Sequence, residues 1–304
     1  MGALSKIGWT DHTFSPVRGC RHAILPDGTT SPACAGPDGK VVCYAETMSH
    51  RNPATLGVWG ADGARSFGVE SYWRQPGKWN ADAEAAGVRA RVFCASLADI
   101  FEGADVDGTE SRDAIRPDYL PMLTRLWALI RATPCLDWQL LTKRPWNMER
   151  WVRENGCPGN TWAGTTAENQ AGANDRVPWL IKIPALVRFV SVEPMSGPVS
   201  LAPRWMGWEP RPRENPEVSR MLNLQWVIVG GASGSGADRL NIGYARTLVA
   251  ECVDAEVPVF VKQLGSAWAH TAGCPTRAGT DPSRWPTGLA IQQFPTPAPT
   301  GAKD

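Results

Sequence analysis

The chain has 304 residues, with 31 Lys plus Arg against 30 Asp plus Glu, a formal charge of +1 and 43% hydrophobic residues, the profile of a soluble globular protein with one large α/β domain or two small ones. That balance excludes a protein that coats nucleic acid by electrostatics alone, while leaving room for a local basic patch. No run of 18 apolar residues occurs and the N-terminus, MGALSKIGWTDH, lacks a signal-peptide hydrophobic region, so a cytosolic location, reduced cysteines and no membrane partner are expected.

In chain order, a first strand is predicted near Trp9 to Val17, and it leads into a loop rich in Gly, Pro and Asp. Residues Tyr44 to His50 read as the first turns of a helix, residues 53–80 as an irregular insertion, and residues 81–90 as helical. Short apolar runs then recur, each ending in a polar cluster: 91–94 before Ser96 and Asp99, 138–141 before Lys143 and Arg144, 161–164 before Glu168 and Asn169, 187–190 before Glu193, 224–229 before Gly230 and Gly231, and 257–261 before Lys262. Helices are predicted between them, notably over Pro117 to Thr133, with an apolar face of Leu120, Leu123, Leu126, Trp127, Leu129 and Ile130, and over Ile242 to Ala255. Residues 203–222 read as a long Pro- and Arg-rich surface loop, and residues 294–304 as a flexible tail beyond a single domain of residues 1–293.

Strands alternating with helices imply βαβ units and a parallel sheet. About six to seven such units, with polar residues at the C-terminal end of strand after strand, point to a partial (β/α) barrel of the TIM type, in which those ends share one mouth. A flavodoxin-like open sheet is the alternative, although the first strand leads into cysteines instead of a Gly-rich phosphate turn.

Those cysteines are Cys20, Cys34 and Cys43, set among turn-forming residues that cannot make a core. Three thiolates bind iron–sulfur clusters or zinc and leave a fourth coordination position open, which suits chemistry better than scaffolding. The spacing contains no Cys-x-x-Cys pair, so on spacing alone a metal site and unrelated thiols are both open. Cys94, Cys135 and Cys252 lie in apolar runs and are read as core.

The other candidates each have an ordinary counterpart. Ser96 and Asp99 could cap a helix. Lys143 and Arg144 precede Pro145 at a helix start, where the macrodipole disfavours cations, so a phosphate or carboxylate partner is expected there. Glu193 ends a buried strand. The turn at Gly230 and Gly231 offers backbone N–H groups for a nucleotide but lacks the Lys-Ser/Thr of a P-loop. The histidines show no ligand-like pairing, and no Ser/His/Asp order is legible. The 15 Trp residues are either rims of the core or a stacking surface for bases.

Several strings in order carry a resemblance: Ile7-Gly-Trp-Thr-Asp11, Gly19-Cys20, Cys43-Tyr-Ala-Glu46, Tyr72-Trp-Arg-Gln-Pro76, Val92-Phe-Cys-Ala-Ser96 with Asp99, Leu140-Leu-Thr-Lys-Arg-Pro145, Gly164-Thr-Thr-Ala-Glu-Asn169, Arg188-Phe-Val-Ser-Val-Glu-Pro194, Trp226-Val-Ile-Val-Gly-Gly231 and Phe260-Val-Lys-Gln263. Over nearly its whole length the chain resembles the phage and prophage three-cysteine proteins related to radical S-adenosylmethionine (SAM) enzymes. That family usually has its second and third cysteines as Cys-x-x-Cys, whereas eight residues separate Cys34 from Cys43, and it often has Glu where this chain has Ala232.

The resemblance implies that Cys20, Cys34 and Cys43 bind a [4Fe-4S] cluster whose fourth iron chelates SAM. It implies that Ser96 and Asp99 hold the methionine end of SAM, Glu168 and Asn169 the ribose, and Gly230 and Gly231 the adenine, leaving Lys143, Arg144, Glu193 and Lys262 as catalytic residues toward substrate. A flavodoxin-type or host reductase would supply electrons, in the cytoplasm of a phage-infected or prophage-bearing bacterium. The implied substrate is DNA or a nucleotide: a thymine in phage DNA whose N-linked glycyl group is isomerised to a C-linked form. The alternatives are a thymine-lesion lyase resembling spore photoproduct lyase, and a non-catalytic, zinc-bearing nucleic-acid-binding module.

Overall fold

Two compact units make up the chain, Met1–Ala23 with Ala45–Gly164, and Ile24–Tyr44 with Thr165–Asp304. The computed structural model describes residues 5–35, 40–201, 204–207, 223–234 and 236–296. Most of the predicted loop 203–222 and of the tail 294–304 therefore lies outside the described residues.

In the first unit, His12–Thr13 (β1) is all that forms of the strand predicted near Trp9 to Val17, because Ser15 and Pro16 interrupt it. Val17–Arg18 (β2) pairs instead with Ser66–Phe67 (β3), antiparallel. Ala90–Cys94 (β4) lies parallel to β1. The chain then makes a hairpin, Gly103–Val106 (β5) and Thr109–Ile115 (β6), before Leu136–Thr142 (β7), which pairs parallel with β4. Thr161–Thr166 (β8) follows. In the second unit, Val187–Val192 (β9), Trp226–Gly230 (β10) and Val259–Gln263 (β11) are parallel neighbours.

The large sheet has seven strands in the order β1-β4-β7-β8-β9-β10-β11. Sequence number rises steadily across it, which is the singly wound connectivity of a (β/α) barrel left open between its first and last strands. A flavodoxin-like sheet would reverse direction at a switch point. None occurs, so the partial barrel is the fold.

The strands are apolar because both faces are covered: every residue of β8, β9 and β10 is buried. The helix Leu120–Arg131 turns Leu123, Leu126, Trp127 and Ile130 inward at the 3.6-residue period. Leu120, expected on that face, is exposed because it opens the helix. The helix predicted from residue 81 begins earlier, at Gln75, and ends at Ala85. Pro76 sits in the first turn, where its missing N–H is no loss, and Trp79 and Ala83 bury one edge. Cys94 and Cys252 are core residues, as expected, and burial pushes both thiols upward, Cys252 to about 12. Cys135 is only half-buried, in the turn before β7. Among the described residues no helix is long and apolar enough to cross a membrane.

Candidate functional site

Within the first unit, the backbone on both sides of Cys20 is tied down. The Gly19 N–H donates to the Leu97 carbonyl at 3.1 Å, and the Arg21 N–H to Glu102 Oε2 at 3.0 Å. Glu102 is fully buried and also pairs with Arg65 at 2.6 Å and Arg116 at 3.0 Å. Such an ion cluster holds its shape because removing any partner would leave a buried charge uncompensated.

Arg144 N-caps the helix Pro145–Asn155 and is 1% exposed. Its Nε and Nη2 form a side-on fork to Glu110 at 2.7 and 2.9 Å. Nη1 meets Asp99 Oδ2 at 3.1 Å and lies 3.8 Å from Cys20 Sγ, while Nη2 also donates to the Arg21 carbonyl at 2.9 Å. At Arg144 the carboxylate partners are thus supplied from within the chain. Burial disfavours the Arg144 charge, but Glu110, Asp99 and Cys20 outweigh it and hold the guanidinium firmly protonated.

Asp99 takes three further donors: the Thr142 hydroxyl at 2.6 Å, the Lys143 N–H at 2.8 Å and the Phe101 N–H at 3.1 Å. Burial would raise its carboxyl. Arg144 and these donors hold it below the usual carboxylate range. Asp99 therefore clamps the end of β7 to the loop after β4. Ser96 lies elsewhere in that loop, with its Oγ 3.4 Å from Ser15 Oγ.

Glu110, absent from the sequence reading, had a legible signal. The Asp107-Gly108 pair adopts positive φ at both positions, +51° and +78°, as a two-residue hairpin turn requires. His22 meets Glu46, its Nε2 lying 2.6 Å from the buried carboxylate.

In the second unit, both insertions around Cys34 are closed at their bases. Ile24 bridges Thr30, and Ala35 bridges Val41. The Val42 and Cys43 N–H groups both point to the Cys34 carbonyl, at 3.1 and 3.4 Å. The backbones of Cys34 and Cys43 therefore meet, although eight residues separate them in the sequence. Ser31, wholly buried, donates its hydroxyl to Glu168 Oε1. Glu168 Oε2 pairs with Arg176 at 2.8 Å, both side chains fully buried. The Arg176 Nε and Nη2 groups have no partner among the described residues. Asn169, next in sequence, accepts from the Gly172 N–H at 3.0 Å and caps the helix Gln170–Leu180.

Glu193 and Lys262, from the ends of β9 and β11, form an ion pair of 2.6 Å, with side chains 15% and 23% exposed. Gly230, on the strand between them, makes this possible: a Cβ there would lie 3.1 Å from Glu193 Cγ and Cδ. At Gly231 a Cβ would lie 2.5 Å from the Leu264 carbonyl, so the chain behind the pair is closely packed backbone. Glu193 precedes Pro194 through a cis peptide bond.

Cysteine thiolates are the ligand type that iron–sulfur clusters take. None of the three cysteines is held in a disulfide, and within the second unit Cys34 and Cys43 come from adjoining backbone. Among the described residues no three or more His, Cys, Asp or Glu side chains converge on a single metal-ion position. A cluster does not demand that, because each thiolate binds a different iron.

No curated protein matches the sequence. Among solved structures, a spore photoproduct lyase mutant with bound AdoMet and dinucleoside spore photoproduct aligns with a TM-score of 0.43 and 13% identity, covering 80% of this chain and 61% of that one. A second lyase mutant aligns with a TM-score of 0.44 and 14% identity, covering 83% and 63%. This chain thus spans about three fifths of the length of those proteins. The model of the family described as "Protein of unknown function (DUF5131)" matches residues 4–281, and the chain belongs to that family.

Proposed function

We propose that the chain is a radical SAM enzyme acting on a modified thymine of DNA, with Cys20, Cys34 and Cys43 as ligands of a [4Fe-4S] cluster. The observation that carries this reading is the neck of the cysteine loop, where the Cys43 N–H meets the Cys34 carbonyl at 3.4 Å. The long spacing thereby brings the two cysteines onto adjoining backbone, which supports a shared cluster. When bound, the cluster and SAM together would supply a 5′-deoxyadenosyl radical able to abstract hydrogen.

The chain's own groups divide into two kinds. Asp99 and Glu168 have their carboxylate oxygens engaged by protein donors and act as positioning residues: Asp99 for the strand ends it clamps, Glu168 for the cysteine loop it holds through Ser31. Ser96, Asn169 and the Gly230-Gly231 backbone are assigned to SAM. Lys143, Glu193 and Lys262 are assigned to substrate. A carboxylate and an ammonium side by side offer complementary partners to the amino and carboxylate ends of a glycyl group, which supports the N-linked to C-linked isomerisation.

The test is anaerobic reconstitution with iron and sulfide, then reduction with dithionite in the presence of SAM and DNA carrying the N-linked glycyl-thymine. Release of 5′-deoxyadenosine together with a C-linked product, and loss of both in Cys43→Ala, is the expected result. No 5′-deoxyadenosine from an iron-loaded protein sinks the radical reading. Cleavage of a thymine lesion in place of isomerisation would make the enzyme a lyase.

A further inference from the structure

We propose that Arg144 sets the reduction potential of the cluster ligated by Cys20, an inference that rests on the cluster reading above. The Arg144 Nη1 lies 3.8 Å from Cys20 Sγ, and the guanidinium is 1% exposed. As a thiol, Cys20 donates its proton to the Arg21 carbonyl at 3.0 Å. Ligation removes that proton. The sulfur then becomes an acceptor only, and Arg144 is a fixed cation already beside it.

Reduction adds one electron, from a low-potential donor, to the cluster; no bond forms or breaks and no proton moves. The added negative charge is stabilised by a nearby buried cation, since charges interact more strongly away from water. Hydrogen bonds to the ligand sulfurs raise the potential in the same sense. Two carboxylates oppose this effect by neutralising Arg144: Asp99 at 3.1 Å and Glu110 at 2.7 Å. Glu110 sits on the β5–β6 hairpin, and its carboxylate forks the Arg144 guanidinium. Arg144 is thereby a positioning and tuning residue, distinct from the substrate-binding role expected of it from sequence.

The network predicts shifts of opposite sign from two substitutions. Arg144→Gln removes the cation and should lower the midpoint potential of the reconstituted holoenzyme, with a tenfold change in the reduction equilibrium corresponding to about 59 mV for a one-electron couple. Glu110→Gln leaves the cation less neutralised and should raise it. The readout is the reduced-cluster EPR signal in a mediator titration with dithionite, with iron content measured on the same samples. A purely structural role would reduce iron content in both variants without moving the midpoint of the clusters that remain. If Arg144→Gln does not fold, Glu110→Gln decides, since glutamine keeps the shape of the 13% exposed side chain and leaves the Asp99 clamp in place. A midpoint unchanged from wild type in iron-loaded Glu110→Gln overturns the inference alone. A wild-type protein that takes up no iron overturns it together with the cluster reading.

Discussion

The buried pair Glu168–Arg176 is asymmetric, and the asymmetry can be measured. Both side chains are fully buried at 2.8 Å, and breaking such a pair by removing one partner costs about 3–5 kcal/mol. Arg176, however, carries two N–H groups with no partner among the described residues, and each unmade buried hydrogen bond costs about 1–3 kcal/mol. Glu168→Gln leaves the cation buried with those groups still unmatched, so the full penalty of about 3–5 kcal/mol applies. Arg176→Met leaves Glu168 without its cation but with the Ser31 hydroxyl, and relieves the unmatched N–H groups, for a net loss of about 2 kcal/mol. The double variant removes both charges and should be less destabilised than Glu168→Gln alone. Urea unfolding of the four proteins, followed by both far-UV circular dichroism and tryptophan fluorescence to test two-state behaviour, gives the cycle. Equal losses in the two single variants, or additive losses in the double, would refute the reasoning.

Gly230→Ala places a Cβ 3.1 Å from Glu193 Cγ and Cδ; kcat/KM for product formation should fall at least about tenfold, equivalent to about 1.4 kcal/mol, while the thermal midpoint moves little. Gly108→Ala puts a side chain at φ +78° and should destabilise the hairpin by about 1 kcal/mol, seen as faster amide exchange over 103–115. Asp99 has its folded carboxyl held below its unfolded value, so its stabilising contribution is present above about pH 4 and is lost as pH falls through the lower folded value. Melting temperatures between pH 6 and pH 2 should therefore drop less steeply in Asp99→Asn than in wild type, from a lower starting point.

The strands were legible because burial on both faces makes them largely apolar runs, as in Trp226–Gly230. Their ends were legible for the same reason: a Glu or Lys directly after such a run, as at Glu193 and Lys262, marks where the core stops. What the sequence hid was pairing. Nothing local says that Arg144 finds Glu110, 34 residues earlier on a hairpin, or that Ser31 reaches Glu168, 137 residues away. Arg144 and Glu168 each have a partner within the fold that the sequence does not reveal. The closure of the insertions was also hidden, because a β-bridge such as Ala35 to Val41 leaves no periodic trace. The start of the helix at Gln75 was missed because its first turn, Gln-Pro-Gly-Lys, has no apolar period and its Pro and Gly read as a turn.

The central claim is that Cys20, Cys34 and Cys43 together hold a cluster, and iron and sulfide content after anaerobic reconstitution tests it most directly. About four irons and four sulfides per chain are predicted for wild type, with loss of cluster absorbance in each of Cys20→Ala, Cys34→Ala and Cys43→Ala and none in Cys252→Ala. Wild-type levels of iron in Cys34→Ala would contradict the account, because they would show that the neck at Cys34 and Cys43 is not what brings the thiols to the cluster.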